Sequence, residues 1–173
     1  MPDTRPTRAT TGGRAYLDLR NLARRQGRPT DELHQLYALE GFLSRLTISP
    51  YADRLVLKGG VLLAAFGSRR PTRDIDLCAD HLSGELDAMR EVVRAIAAIP
   101  LDDGLQIDPD SATAEPIRDE HEYPGVRVTL TATLSAARLT FHVDINIGDP
   151  VSPAPQRIVL PKILGGTMEL TGY

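Results

Sequence analysis

A single cysteine, Cys78, occurs among 173 residues, so no internal disulfide framework can brace this fold. Long apolar runs are missing too: the longest, Val61 to Phe66, is far shorter than a bilayer span requires. The N-terminus is polar and Arg-rich and lacks the apolar segment that a secretion signal needs. Lysine is scarce, with two against eighteen Arg, a bias that by itself points to no chemistry. No His/Cys zinc cluster, Ser-His-Asp order, Walker loop or GxGxxG turn is present. These absences argue against a disulfide scaffold, a helical membrane protein, a zinc site and a P-loop enzyme. They lead to the expectation of a cytoplasmic chain with no membrane partner.

What is present is ordinary for a soluble globular domain: 42% hydrophobic and 25% charged residues, with enough length for one real core. The net charge of −3 is unevenly spread. Residues 1–28 carry seven Arg and two Asp, whereas residues 101–124 carry eight acids and one Arg. A basic arm can contact nucleic-acid phosphates, although on charge alone a solvated helix face is the simpler reading.

Residues 1–12, rich in Pro, Thr and Gly, are expected to be flexible, and 13–173 to form one domain. A helix is expected from Arg14 to Arg25. A second starts at Pro29-Thr30, with Thr30 as N-cap and Asp31 and Glu32 in the first turn, and stops at Ser49-Pro50. Leu55-Val56-Leu57 reads as a short strand, Val61 to Phe66 as buried helical turns, Asp74 to Ala79 as a strand and Glu85 to Ala98 as an amphipathic helix. From residue 104 the period becomes two. Val126, Val128, Leu130, Ala132 and Leu134 alternate with polar residues, as do Leu139, Phe141, Val143, Ile145 and Ile147. These two strands make a hairpin about residues 135–138. The acidic stretch 102–124 reads as an exposed loop or edge. The expected fold class is α/β (α+β): a small mixed sheet with helices packed on one face.

Chemistry concentrates at Asp74-Ile75-Asp76, because residues i and i+2 of a strand share a face and two carboxylates there can converge on one cation. Upstream, Lys58-Gly59-Gly60 is a turn whose amides can approach a phosphate closely. Asp144 lies on the polar side of its own strand with Thr140, His142 and Asn146. If that strand neighbours the first, three carboxylates share one side of the sheet, a ligand set suited to Mg2+ (or Mn2+) and phosphoryl transfer. Arg69, Arg70 and Arg73 flank the Asp pair, and Thr72 precedes Asp74 by two. Asp-x-Asp or Gly-Gly alone is a weak signal; their joint spacing with a third Asp carries the reading. Cys78 is read as a small buried side chain and His142 as a surface strand histidine.

Leu57-Lys58-Gly59-Gly60-Val61-Leu62-Leu63, Gly67-Ser68 and Arg70-Pro71-Thr72-Arg73-Asp74-Ile75-Asp76-Leu77 resemble the AbiEii/MenT nucleotidyltransferase toxins of the DNA polymerase β-like superfamily. Val143-Asp144-Ile145 with Gly148-Asp149 looks like the family's next motif. The resemblance implies a toxin, paired with an AbiEi-like antitoxin, that transfers nucleotides from an NTP to the 3′ acceptor end of tRNA and blocks aminoacylation. It implies Asp74 and Asp76 as metal ligands and catalytic residues, with Asp144 joining them. Lys58, Gly59, Gly60, Ser68, Arg70 and Thr72 would shape the nucleotide pocket, with Thr72 a phosphorylation site for neutralisation. The family's later Ala-Glu-Lys lysine and late Asp motif do not occur before Tyr173, so a domain lacking its C-terminal helical part is expected. The alternatives are a small-molecule or protein acceptor, and a catalytically inert binding module.

Overall fold

The computed structural model describes residues 5–58, 72–117, 125–147 and 154–172. Among them, three helices pack against a seven-stranded mixed sheet. The helices are α1 (Thr11–Gln26), α2 (Thr30–Thr47) and α3 (Leu86–Ala97). The strands are β1 (Leu55–Leu57), β2 (Asp74–Ala79), β3 (Leu105–Ile117), β4 (Gly125–Leu134), β5 (Ala137–Ile147), β6 (Gln156–Pro161) and β7 (Thr167–Gly172). Their order across the sheet is β3-β4-β5-β2-β1-β7-β6.

Strand alternation decides which way the sheet faces. Ile75 and Leu77 of β2, Phe141, Val143 and Ile145 of β5, and Val126, Val128 and Leu130 of β4 are buried in one core with Leu36, Leu39, Phe42 and Leu43 of α2 and Met89, Val93 and Ile96 of α3. Phe42 and Phe141 meet edge to face at 6.0 Å. The helices therefore cover the apolar face, as expected, and the alternate residues Asp74, Asp76, Arg127, His142 and Asp144 lie on the other. Cys78 is fully buried.

The ends of the helices depart from expectation in informative ways. Helix α1 begins at Thr11, three residues early, because the Thr10 hydroxyl accepts from the Gly13 amide at 3.0 Å and caps it. It ends at Gly27, whose φ of 63° lets the Arg28 amide reach back to Ala23 O at 2.9 Å. Thr30 is not the cap of α2. Pro29 occupies that position with no side-chain cap, and Asp31 and Glu32 alone offset the first-turn dipole. The acidic stretch forms the edge strand β3 over Leu105–Ile117, with a register shift between Asp108 and Thr113 around Pro109, which edge strands and bulges tolerate. The β6–β7 hairpin, absent from the sequence reading, turns at Gly165 and Gly166, both at positive φ. The expected helical turns at 61–66 and the acidic residues 118–124 lie outside the described residues.

Helix α2 is buried around most of its circumference, including four charged or titratable side chains, His34, Tyr37, Glu40 and Arg45. Arg45, 3% exposed, spends its guanidinium fully: it donates to Asp103 Oδ2 at 2.8 Å and Oδ1 at 3.2 Å, and to the carbonyls of Ile99, Gly41 and Leu105 at 2.9, 2.9 and 3.1 Å. The Tyr37 hydroxyl donates to Asp103 O at 2.6 Å, and Thr11 donates to Asp102 at 3.2 Å. Gly104, at φ 77°, lies against the backbone of Gly12, where a Cβ has no room. Two of the acids counted as exposed charge thus weld α1, α2 and β3 together. Glu40 accepts from the Ile163 amide at 2.8 Å and ties the β6–β7 turn to α2. Burial raises its carboxyl above the usual range, against the opposing pull of that amide and of Lys162. Arg45→Ala removes the charged donor of the Asp103 carboxylate, which keeps only the Leu105 amide at 3.1 Å, and the guanidinium donor of three carbonyls. It is expected to cost about 3–5 kcal/mol in urea unfolding, whereas a loss below about 1 kcal/mol, typical of surface pairs, contradicts this account.

Candidate active site

Strand β2 runs parallel to β5, with Asp74 opposite His142 and Asp76 opposite Asp144. Strand β4 is antiparallel to β5, with Arg127 opposite Asp144 and Thr129 opposite His142. Paired residues of neighbouring strands share a face, so Asp74, Asp76 and Asp144 stand together on the side away from the helices. The condition attached to Asp144, that its strand neighbour the Asp-x-Asp strand, is met.

Burial differs among the three. The Asp74 side chain is 42% exposed and that of Asp144 11%. Burial raises the Asp76 carboxyl above its ordinary value, and the charges of Asp144 and Asp74 raise it further, against the opposing pull of Lys58 and Arg127. Lys58 lies beside this strand, its amide donating to Asp76 O at 3.0 Å.

Arg127 is the residue that sequence reasoning passed over. Its Nε donates to Asp144 Oδ1 at 2.8 Å and its Nη2 to Oδ2 at 2.9 Å, a two-pronged fork, while Nη2 also stands 3.7 Å from Asp74 Oδ2. The hydrogen bonds to Asp144 raise its already high pKa. The structure turns at Ser135-Ala136 rather than over the expected 135–138, which pairs Leu134 with Ala137 and Arg127 with Asp144; the longer turn would have set Arg127 opposite Asn146.

Thr72 sits at the mouth of β2. Its hydroxyl donates to Asp74 O at 3.3 Å and accepts from the Asp74 amide at 3.5 Å, a local turn that fixes the start of the strand. A cleft of about 570 Å3 lies here, lined by Pro29, Asp31, Thr72, Asp74, Arg127 and His142, among others. His142 is half-buried rather than a surface histidine, with Nδ1 2.9 Å from the Thr129 hydroxyl. Its amide donates to Arg73 O at 2.9 Å, so the ladder continues one step beyond β2. His34 is far from ligand chemistry, buried against Tyr16 with its pKa lowered by burial. Part of the basic N-terminal charge is used internally: Arg8 pairs with Asp18 at 3.0 Å and Arg28 with Glu32 at 3.4 Å. Gly59, Gly60, Ser68, Arg69, Arg70, His121, Gly148 and Asp149 lie outside the described residues.

The donor set fits a hard divalent cation at the Asp74–Asp76 pair: two carboxylates share one face, with a third beside them, and like-charge repulsion favours a counter-ion. Among the described residues, no three carboxylate, imidazole or thiolate groups converge closely enough to hold a metal as they stand. Asp144 is instead turned to Arg127.

A mixed sheet with helices on one face and this carboxylate array on the other is the layout of an α+β nucleotidyltransferase-like core. The chain belongs to the AbiEii family: residues 41–171 match the family described as nucleotidyl transferase AbiEii toxin, type IV toxin–antitoxin system. It is thus a member of a nucleotidyltransferase toxin family whose systems include an antitoxin partner. Among curated proteins the comparison finds no match. Among the described residues no helix is long and apolar enough to cross a membrane.

Proposed function

We propose that this protein transfers nucleotides from an NTP to the 3′ acceptor end of tRNA with Mg2+ (or Mn2+), as MenT-type relatives are expected to do. It would block aminoacylation in the cytoplasm until an AbiEi-like antitoxin neutralises it. The observation that carries this reading is the β2–β5 register, which sets Asp74, Asp76 and Asp144 side by side on the face opposite the core packed by α2 and α3.

In this reading Asp74 and Asp76 bind the divalent ion, which when present neutralises phosphate charge and favours the ionised acceptor hydroxyl. Lys58 adds positive charge beside Asp76, suited to the triphosphate. Thr72 holds the start of β2 so that Asp74 is aimed into the cleft. Gly59 and Gly60 would bring amides to the phosphates, with Ser68 and Arg70 completing the pocket. A small-molecule or protein acceptor is the alternative, and a labelled-NTP assay against total tRNA decides between them.

Asp74→Asn and Asp76→Asn should each lower transfer by about a thousandfold or more, since the several kcal/mol of charge stabilisation that depends on the ion is lost. Circular dichroism of both variants should match wild type. Wild-type transfer by either variant would mean that this carboxylate pair does not hold the ion.

A phosphate on Thr72 would add roughly −1.5 to −2 charges beside Asp74. Thr72→Glu is therefore expected to weaken NTP binding by about tenfold in equilibrium dialysis, the size of one charge-assisted contact, while Thr72→Ser retains it. Equal affinity of Thr72→Glu and wild type removes Thr72 from the nucleotide site.

A further inference from the structure

Asp144 is the most enclosed member of the face for which the structure shows a fully engaged carboxylate. Each of its oxygens accepts a hydrogen bond from Arg127, at 2.8 and 2.9 Å. Both groups stand on paired strands in register, so hairpin geometry, not a flexible reach, brings them together. The prong on Oδ2 also leans to Asp74, 3.7 Å away, and so lies between Asp144 and the pair suited to a cation. On the far side of Arg127, in register on β3, stands Glu115.

A fork of this kind occupies the carboxylate edge that a metal ion would use, and its charge repels a second cation from the same space. We propose that Arg127 is an internal counter-ion in the third ligand position: it withholds Asp144 from a divalent ion bound at Asp74 and Asp76, and Asp144 joins that ion only when the fork opens. This rests on the reading of the face as a cation site. Arg127 acts here as a positioning residue that sets cation affinity. The protein would thus hold two arrangements of one face, with an arginine-locked Asp144 before loading and a three-carboxylate site after it.

The test is Mn2+ binding by electron paramagnetic resonance, at pH 8 and without nucleotide, on the full chain and its variants. Arg127→Gln should bind Mn2+ about tenfold more tightly than wild type, the size expected for gaining one charged ligand. Arg127→Lys keeps the charge but cannot fork, and should fall between the two. Arg127→Gln with Asp144→Asn should lose most of the gain. Unchanged affinity in Arg127→Gln overturns the proposal, as does a double variant that binds as tightly as Arg127→Gln. If Arg127→Gln fails to fold, Arg127→Lys against wild type decides the same question: tighter binding supports the lock, and equal binding refutes it. Asp74→Asn separates the two levels of inference. Binding indifferent to Asp74 refutes the cation site itself, whereas binding that needs Asp74 but ignores Arg127 refutes the lock alone.

Discussion

Everything on the candidate face depends on the parallel pairing of β2 with β5. Side chains alternate, so a slip of one residue would turn Asp144 into the core and Val143 out to the acids. Burial prevents the slip: Ile75 and Leu77 on one strand and Val143 and Ile145 on the other are at most 1% exposed, and all four face the helices. The hydrophobic effect thus sets the register, and the register sets the carboxylates. The polar consequence is a concentration of like charge, which Arg127 and Lys58 partly offset. A face that carries this much negative charge is predisposed to a cation.

The scaffold that keeps this register is the central helix. Helix α2 presents apolar residues to the sheet and uses polar side chains as fasteners. Arg45 grips the Asp103 turn, Glu40 grips the β6–β7 turn, and Gln35 donates to Thr140 O on β5 at 2.8 Å. Arg45 and Glu40 pair backbone and carboxylate groups at or near the core, whereas the Gln35 bond lies at the surface. The site is therefore built on strands held from behind, with Thr72 at the rim as a local clasp.

Much of this was legible because it rests on local pattern. The alternation in β4 and β5 and the isolated Asp-x-Asp strand yielded the elements and the face. The 3.6-residue period yielded α2 and α3. What escaped depended on partners distant in sequence. Asp102 and Asp103 looked like surface charge because nothing local shows that Thr11 and Arg45 will meet them. Arg127 looked like one more polar residue on an alternating strand, because its pairing with Asp144 depends on a tight Ser135-Ala136 turn, whereas the expected turn over 135–138 sets it opposite Asn146. Strands β6 and β7 were missed because β6 buries little, β7 is only six residues long, and their pairing depends on a Gly165-Gly166 turn. Thr30 was read as a cap from residue type alone, whereas the chain reaches α2 through the extended Pro29.

The central claim is that the carboxylate-bearing face of β2 and β5 binds the metal and the nucleotide. A crystal structure of the protein with Mn2+ and a non-hydrolysable NTP analogue, with data collected for anomalous manganese signal, tests it most directly. The account predicts an anomalous peak within coordination reach of the Asp74 and Asp76 carboxylates, with the triphosphate in the cleft beside Thr72. A well-occupied manganese and nucleotide bound elsewhere, with both Asp side chains free of contact, would contradict it.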